Sequence, residues 1–521
     1  MNIVVFSLLC VATVEPARIL GVFPMPSISH QVVFRALTLE LAKRGHELVV
    51  ITTNPVTKGN PIANLTEIDI SESYDLIKTL FELCKDMNQL KRGVISDIET
   101  MVHSRSTEGM FFLMAHMFKN DEVKKLMHDK TQKFDLVIAE AILHTHLVFG
   151  KIFNAPIILF SSLSGFPEVF DIMGAATRHP FIYPSIFRNK FSNLTLLEKL
   201  REIYYEYKLT SLYWHMEQLE NQMLQEMLGD GAPTVNDLKQ HISMLFLNTF
   251  PIFDNNRPVP PSIVYLGALH LQPVKELPVD LKQYLDNSKR GVIFVSLGTN
   301  VIPALMEKDL LDAFRKAFEI LPYDILWKLN GVKLENVSSN VRIQEWFPQR
   351  DLLFHPNIKL FVTQGGLQST DEAIDAGVPL VGIPMLGDQW YNVNKYVELG
   401  VGVQVDSLTM KAEDLVEAVK TVLSNDRYRE NIMKLKAVMY DQPQKPMDRA
   451  VWWTEHVLRH GGAKHLTSPA ANMPWTKYFM LDVLGLVLTA LVAILVTAIF
   501  AIYLIHRIFK TLSKVNKLKM Q

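Results

Sequence analysis

The densest chemistry in this sequence lies between residues 346 and 389. Lys359 to Thr363 reads as a buried strand that ends in Gln364-Gly365-Gly366, and a helical pattern begins at once. A strand, a small-residue turn and a helix start aim several backbone N–H groups, and the positive end of a helix dipole, at one spot. Such a spot attracts anions and suits a diphosphate. Glycine turns of this kind are frequent in α/β proteins, so the turn alone names no ligand. A second candidate is His30, in Ser29-His30-Gln31, just after the first strand. An imidazole titrates near neutrality and can take the proton of a hydroxyl. A histidine at a helix start is usually only solvated, so it too needs its surroundings to give it a role.

Regular elements must hold these residues. Arg18 to Phe23 reads as a short buried strand, followed by a loop and a helical pattern from about His30 to Arg44. Leu48 to Thr52, Phe134 to Ala139 and Pro156 to Phe160 are further strands, with helical patterns between the last two. Strands alternating with helices predict an open parallel sheet covered on both faces. Residues 163–245 are less regular and rich in aromatics. From Phe253 to Pro278 the chain carries Pro258, Pro260, Pro261, Pro273 and Pro278, which suits a linker because proline fixes φ and removes a donor. The alternation then restarts: strands at Gly291 to Leu297, Ile325 to Lys328, Lys359 to Thr363 and Pro379 to Ile383, and helices at Met306 to Leu321, Gln368 to Asp375 and Asn392 to Leu399. Two α/β sheets joined by a linker leave a cleft, a common place for a ligand.

Phe361-Val-Thr-Gln-Gly-Gly-Leu-Gln-Ser-Thr-Asp-Glu372, Pro379-Leu-Val-Gly-Ile-Pro384 and Gly387-Asp-Gln389 resemble the signature of the UDP-glycosyltransferases, invertebrate type, with matching spacing throughout. Trp346-Phe-Pro-Gln349, Asp351-Leu-Leu353, Val295-Ser-Leu-Gly-Thr299, Asp448-Arg-Ala-Val-Trp-Trp453 and Arg459-His-Gly-Gly-Ala-Lys-His465 extend the resemblance over nearly the whole chain. It implies the GT-B fold, two Rossmann-like domains facing a cleft. The implied organisation is an acceptor-binding domain at 18–252, a linker at 253–278 and a donor-binding domain at 279–445. Helices at 446–478 would pack back toward the first domain. It implies no metal and no cofactor, the UDP-sugar being a co-substrate.

Carried over by resemblance, Trp346 would stack on uracil, Gln349 would hold uracil or ribose, and Glu372 would accept from the ribose hydroxyls. A carboxylate suits a diol because, ionised, it offers only acceptors. Ser296, Thr299, Gln364, Gly366 and Ser369 would meet the diphosphate, Thr363 and Gln368 would also belong to the donor site, and Asp388 and Gln389 would bind sugar hydroxyls. His30 would be the base of an inverting transfer. Its carboxylate partner in the family is an aspartate; the matching position here is Glu140, at the end of Phe134-Asp-Leu-Val-Ile-Ala139. Asp135 falls at the wrong edge of the sheet. Gln364 stands where many relatives have histidine; it can still donate to a phosphate oxygen but carries no charge.

The expected activity is transfer of a hexose from a UDP-sugar to a hydroxyl of small lipophilic acceptors, giving β-glycosides. The invertebrate branch favours glucose and the vertebrate branch glucuronate, and no residue decides between them. A non-catalytic carrier of UDP-sugars or lipophiles on the same fold is the alternative, supported only by Gln364 and Glu140. A nucleotide-dependent dehydrogenase fits less well, because no Gly-x-Gly-x-x-Gly follows the first strand. Phe166, Phe170, Phe181, Ile182, Tyr183 and Phe187 could line an acceptor pocket, rest on a membrane surface or belong to the core.

Composition narrows the partners. Lys+Arg 53 against Asp+Glu 54 gives no broad basic field for nucleic acid. Two cysteines, Cys10 and Cys84, provide neither a disulfide framework nor a cysteine metal cluster. Ile3 to Val14 has the length and apolarity of a signal peptide, which would end near residue 17. Val483 to Ile505 is uncharged and long enough to cross a bilayer. The basic tail 506–521, with Arg507, Lys510, Lys514, Lys517 and Lys519, then belongs in the cytosol. Its last lysines resemble a dilysine retrieval signal. With the sequons at Asn64, Asn193 and Asn336, these features lead to the expectation of a single-pass protein of the endoplasmic reticulum membrane with a lumenal body. Membrane lipid joins donor and acceptor as expected partners, and homo-oligomerisation stays open.

Overall fold

The computed structural model describes residues 15–104, 106–175 and 179–519, so the apolar run from Ile3 to Val14, Cys10 and the last two residues lie outside the described residues. Two parallel sheets organise the chain. The first contains β1 (Arg18–Phe23), β2 (Glu47–Thr52), β3 (Leu65–Asp69), β4 (Leu136–Glu140), β5 (Ile157–Ser161), β6 (Ile242–Leu247) and β7 (Ile263–Tyr265). The second contains β8 (Val292–Ser296), β9 (Asp324–Lys328), β10 (Val341–Gln344), β11 (Ile358–Thr363), β12 (Leu380–Gly382) and β13 (Gly402–Gln404). The central strands β4, β5 and β8 are buried at every residue, the burial expected of strands covered by helices on both faces.

Strand order decides where the chemistry sits. The first sheet runs β3-β2-β1-β4-β5-β6-β7 and the second β10-β9-β8-β11-β12-β13. Each reverses direction once, between β1 and β4 and between β8 and β11. At such a point the loops leaving the two neighbouring strands diverge to opposite faces and open a crevice at the strand ends. Val22 is opposite Ala139 in one sheet and Ser296 opposite Thr363 in the other, so both crevices begin at aligned strand ends.

The proline-rich stretch 253–278 does more than connect. Its Ile263–Tyr265 pairs with β6, and the chain leaves the first sheet only after Tyr265. The edge position explains why prolines on either side of this strand are tolerated. The two halves are also tied elsewhere. Val94 and Ile95, from the first half, are buried in the core of the second, and Ser96 N–H donates to the Met385 carbonyl at 2.9 Å. Arg92 reaches Asp309 at 2.7 Å in the same clamp. Helix Pro446–His460 returns to the first half, where Ala450, Val451 and Val457 share a core with Val33, Phe34 and Leu37.

The long helix Leu196–Leu228 is opened by a capping box, Thr195 with Glu198, and ends at Gly229, whose φ of +76° suits glycine. The last helix spans Leu481–Lys519, so it continues through the basic tail instead of stopping at Ile505. Lysine and arginine are good helix formers, and neither glycine nor proline interrupts them. Residues Leu481–Asn516 are long and apolar enough to cross a membrane and bury nothing against the body.

Candidate active site

The catalytic candidates of the first half meet at its reversal point. His30 is the third residue of helix Ile28–Lys43, which starts just beyond β1. Glu140 is the last residue of β4. Both are buried, and His30 Nδ1 lies 3.0 Å from Glu140 Oε1. The second carboxylate oxygen accepts the Met25 backbone N–H at 3.1 Å, so neither oxygen is idle. With Nδ1 facing a carboxylate, the neutral ring carries its proton there and turns the lone pair of Nε2 outward. The longer glutamate therefore reaches the imidazole. Asp135 accepts the Arg18 N–H at 2.8 Å, at the opposite end of the strands.

The second half gathers its residues at the ends of β8, β9 and β11. Gly365 has φ +91°, and a Cβ there would overlap Val393, so this turn requires glycine. Gly366 caps helix Leu367–Ala376 without a side-chain bond, and no acid occupies the first turn. Its dipole thus faces the crevice unneutralised. Gly298, with φ +74°, leaves room for the Gln364 side chain, which a Cβ would displace. Ser296 is buried and its hydroxyl accepts the Gly298 N–H at 3.4 Å, while Thr299 lies in the crevice wall.

The nucleotide end is equally compact. Trp346 leaves 60% of its surface exposed, unusual for an indole and apt for stacking. Gln349 donates to Ser369 Oγ at 2.9 Å and to Glu372 Oε2 at 2.7 Å. Burial pushes the Glu372 carboxyl up to about 7, against the pull of Gln349 and Arg350. At the sugar end, Gln389 Oε1 accepts the N–H groups of Met385 and Leu386, both at 2.9 Å, leaving its amide nitrogen for the cavity. Desolvation raises the Asp388 pKa, while a 2.8 Å bond from Asn392 and the charge of His30 act against that rise.

Two expected donor contacts have other partners. Thr363 is fully buried; its hydroxyl donates to Gln364 Oε1 and accepts the Gly365 N–H, each at 3.3 Å, so it shapes the turn. Gln368 donates to the Ser162 carbonyl at 2.9 Å and so bridges the two halves. The sequence reading missed two residues. Lys328, at the end of β9, donates to the Gly298 carbonyl at 2.7 Å and stands 4.8 Å from the Trp346 ring centre. Burial lowers its pKa to about 8. Asn392 joins the Gly365 carbonyl, 2.9 Å away, to Asp388. Its signal was its spacing, four residues after Asp388 and one helical turn away.

One cavity of about 760 Å³, within the range of small-molecule sites, is walled by both halves. His30, Thr299, Asp388 and Gln389 share it with an apolar wall that includes Phe81, Phe111, Met114 and Met216. Of the aromatics from the irregular region, Phe166 and Phe187 line it and stack at 5.5 Å, Phe170 belongs to the core, and Ile182 is exposed.

The profile of a family described as "UDP-glucoronosyl and UDP-glucosyl transferase" matches residues 18–517. An ecdysteroid UDP-glucosyltransferase of Spodoptera littoralis nuclear polyhedrosis virus is 39% identical over 499 residues, covering 93% of this chain and 96% of that protein. UDP-glucosyltransferase 2 of Dactylopius coccus is 31% identical, covering 99% of this chain and 98% of its own. Among solved structures, a UDP-glucose: anthocyanidin 3-O-glucosyltransferase in complex with UDP superimposes with a TM-score of 0.56 at 19% identity, over 85% of this chain and 99% of that one. That likeness shows the fold, GT-B. The chain belongs to the UDP-glucoronosyl and UDP-glucosyl transferase family and is a UDP-glycosyltransferase.

Proposed function

We propose that this enzyme transfers glucose from UDP-glucose, with inversion, to a hydroxyl of small lipophilic acceptors. The observation that carries the reading is the His30–Glu140 pair, 3.0 Å apart, opening on the cavity that also holds Asp388 and Gln389. Trp346, Gln349 and Glu372 hold the nucleoside; Ser296, Thr299, Gln364, Ser369 and the Gly366 helix start hold the diphosphate; Asp388 and Gln389 hold the sugar. His30 Nε2 takes the acceptor proton as its oxygen bonds to the anomeric carbon and UDP departs from the opposite face. Glu140 keeps the imidazole in the productive tautomer and stabilises its cation. Gln364 is neutral, so positive charge near the leaving diphosphate comes from the helix dipole and Lys328.

Glucose is favoured over glucuronate by relatives whose names print a glucosyl activity, the two described above among them. The mainly apolar cavity wall supports lipophilic acceptors. The apolar last helix supports a membrane anchor, and the exposed Asn64, Asn193 and Asn336 support a lumenal body in the endoplasmic reticulum. The test is incubation of membranes carrying the protein with labelled UDP-glucose or UDP-glucuronate and a panel of phenols and steroids. A β-glucoside, identified by its anomeric proton coupling, is expected. An α-glycoside would overturn inversion, and product from UDP-glucuronate alone would overturn the choice of sugar.

A further inference from the structure

We infer that His144 and Glu168 form a second polar anchor in the acceptor cavity, recognising an oxygen function on a polycyclic acceptor away from the hydroxyl that receives the sugar. This inference rests on the cavity being the acceptor site. His144, Glu168 and Glu220 stand in its wall among apolar side chains, and the transfer chemistry uses none of them. Buried ionic groups are costly unless paired, so their pairing shows what remains available.

Glu220, on the long helix, accepts both the His144 backbone N–H at 2.7 Å and Nδ1 at 2.9 Å. Lys239 holds Glu168 at 3.4 Å and Glu217 at 2.8 Å. What remains is the Nε2 edge of His144 and the second lone pair of Glu168 Oε1, the oxygen that Lys239 also reaches; Nε2 and Oε1 are 3.7 Å apart, too far for a direct hydrogen bond. Burial disfavours the imidazolium, but the charges of Glu168 and Glu220 outweigh it and raise the His144 pKa; in the protonated ring Nε2–H is a donor. A hydroxyl seated there accepts from His144 and donates to Glu168, and a ketone uses the first bond only. His144 follows Glu140 by four residues, so the two backbones lie no more than about 14 Å apart. One rigid molecule of a few fused rings can touch both the base and the anchor.

Equilibrium dialysis of the full-length protein in detergent micelles tests this, with tritiated estradiol and its analogue lacking the D-ring hydroxyl. Hydrogen bonding to charged groups leads us to expect at least about tenfold tighter binding of estradiol. That ratio should fall toward one in His144→Gln and in Glu168→Gln, the second replacing a less buried side chain. UDP affinity of the same preparations reports whether each variant is folded. Equal affinity for the two steroids, binding of neither, or discrimination that persists in a folded variant overturns the anchor and leaves these residues an internal ion network. Discrimination without glucose transfer to estradiol counts against the transfer reading and not against the anchor.

Discussion

The two halves of the crevice place their chemistry at the same point of sheet topology and surround it in opposite ways. In the donor half, the groups proposed to face the nucleotide-sugar come from strand-end turns and three helix starts between Ser296 and Gln389. Backbone geometry fixes them, as at Gly365 and Gly298. In the acceptor half His30 sits in the first turn of the helix after β1 and Glu140 at the end of β4. The pocket beyond them is walled by scattered segments, including residues 74–114, 142–169 and 209–220. Many of its side chains are flexible methionines, among them Met25, Met101, Met110, Met114 and Met216. Under the proposed function the difference amounts to a division of labour: a rigid turn for a constant nucleotide, and an adaptable wall for acceptors of differing shape.

The sharpest way to break that division is to remove the base. His30→Ala should lower kcat by roughly 10²- to 10⁴-fold, the range for a positioned general base. UDP affinity should stay unchanged, because His30 belongs wholly to the acceptor half. Parallel losses in turnover and in UDP affinity, read by steady-state kinetics and calorimetry, would show that the halves are not separable.

The same contrast explains what could be read without coordinates. Gln364-Gly365-Gly366 after an apolar strand was legible as a strand–turn–helix because the turn is local, its constraints lying within a few residues. The central strands on either side of both reversal points were legible for the same reason, since their signals are short apolar runs; Leu65–Asp69, Ile242–Leu247, Val341–Gln344 and Gly402–Gln404 were not read as strands. The pocket was not legible. Phe166, Phe170 and Phe187 look alike in sequence, yet Phe170 lies in the core while the other two stack against the cavity. The insertion of Val94 and Ile95 into the opposite core, and the pairing of His144 with Glu220, depend on contacts between distant segments. Nor did the prolines around Ile263–Tyr265 betray an edge strand, because its pairing with β6 is decided by the sheet already formed.

A smaller effect should come from Glu140→Gln, through the tautomer of the base. Met25 N–H points at Oε2, so the new amide turns its carbonyl toward Met25 and its NH₂ toward His30 Nδ1. Nδ1 then accepts, Nε2 carries the proton, and the base faces the acceptor in the wrong form. We expect kcat to fall about 10²-fold, the lower end of the range for general-base catalysis, with little change in either substrate's affinity. Nuclear magnetic resonance of the imidazole nitrogens reads the tautomer directly. An unchanged tautomer and unchanged turnover would remove Glu140 from the mechanism.

The smallest effect sharpens the donor side of the comparison through pH. Burial holds the Glu372 carboxyl at about 7 in the free protein, above its ordinary 4.5. Ribose hydroxyls donate, so they favour the ionised form, and UDP affinity should fall as pH drops below about 7, by no more than tenfold per unit. The same group contributes to stability with the opposite trend. Its folded pKa is raised, so the free protein binds more protons than the unfolded chain between pH 4.5 and 7, and stability declines as pH rises across that window. Asp371, buried beside it with its pKa also raised, adds to the trend, so the contribution of Glu372 is the difference between wild type and Glu372→Gln. Calorimetric titration with UDP from pH 5.5 to 8 should show a slope in the wild type and a flat line in the variant. A slope that survives the substitution would place the titrating group elsewhere in the crevice, with Asp388 the next to replace.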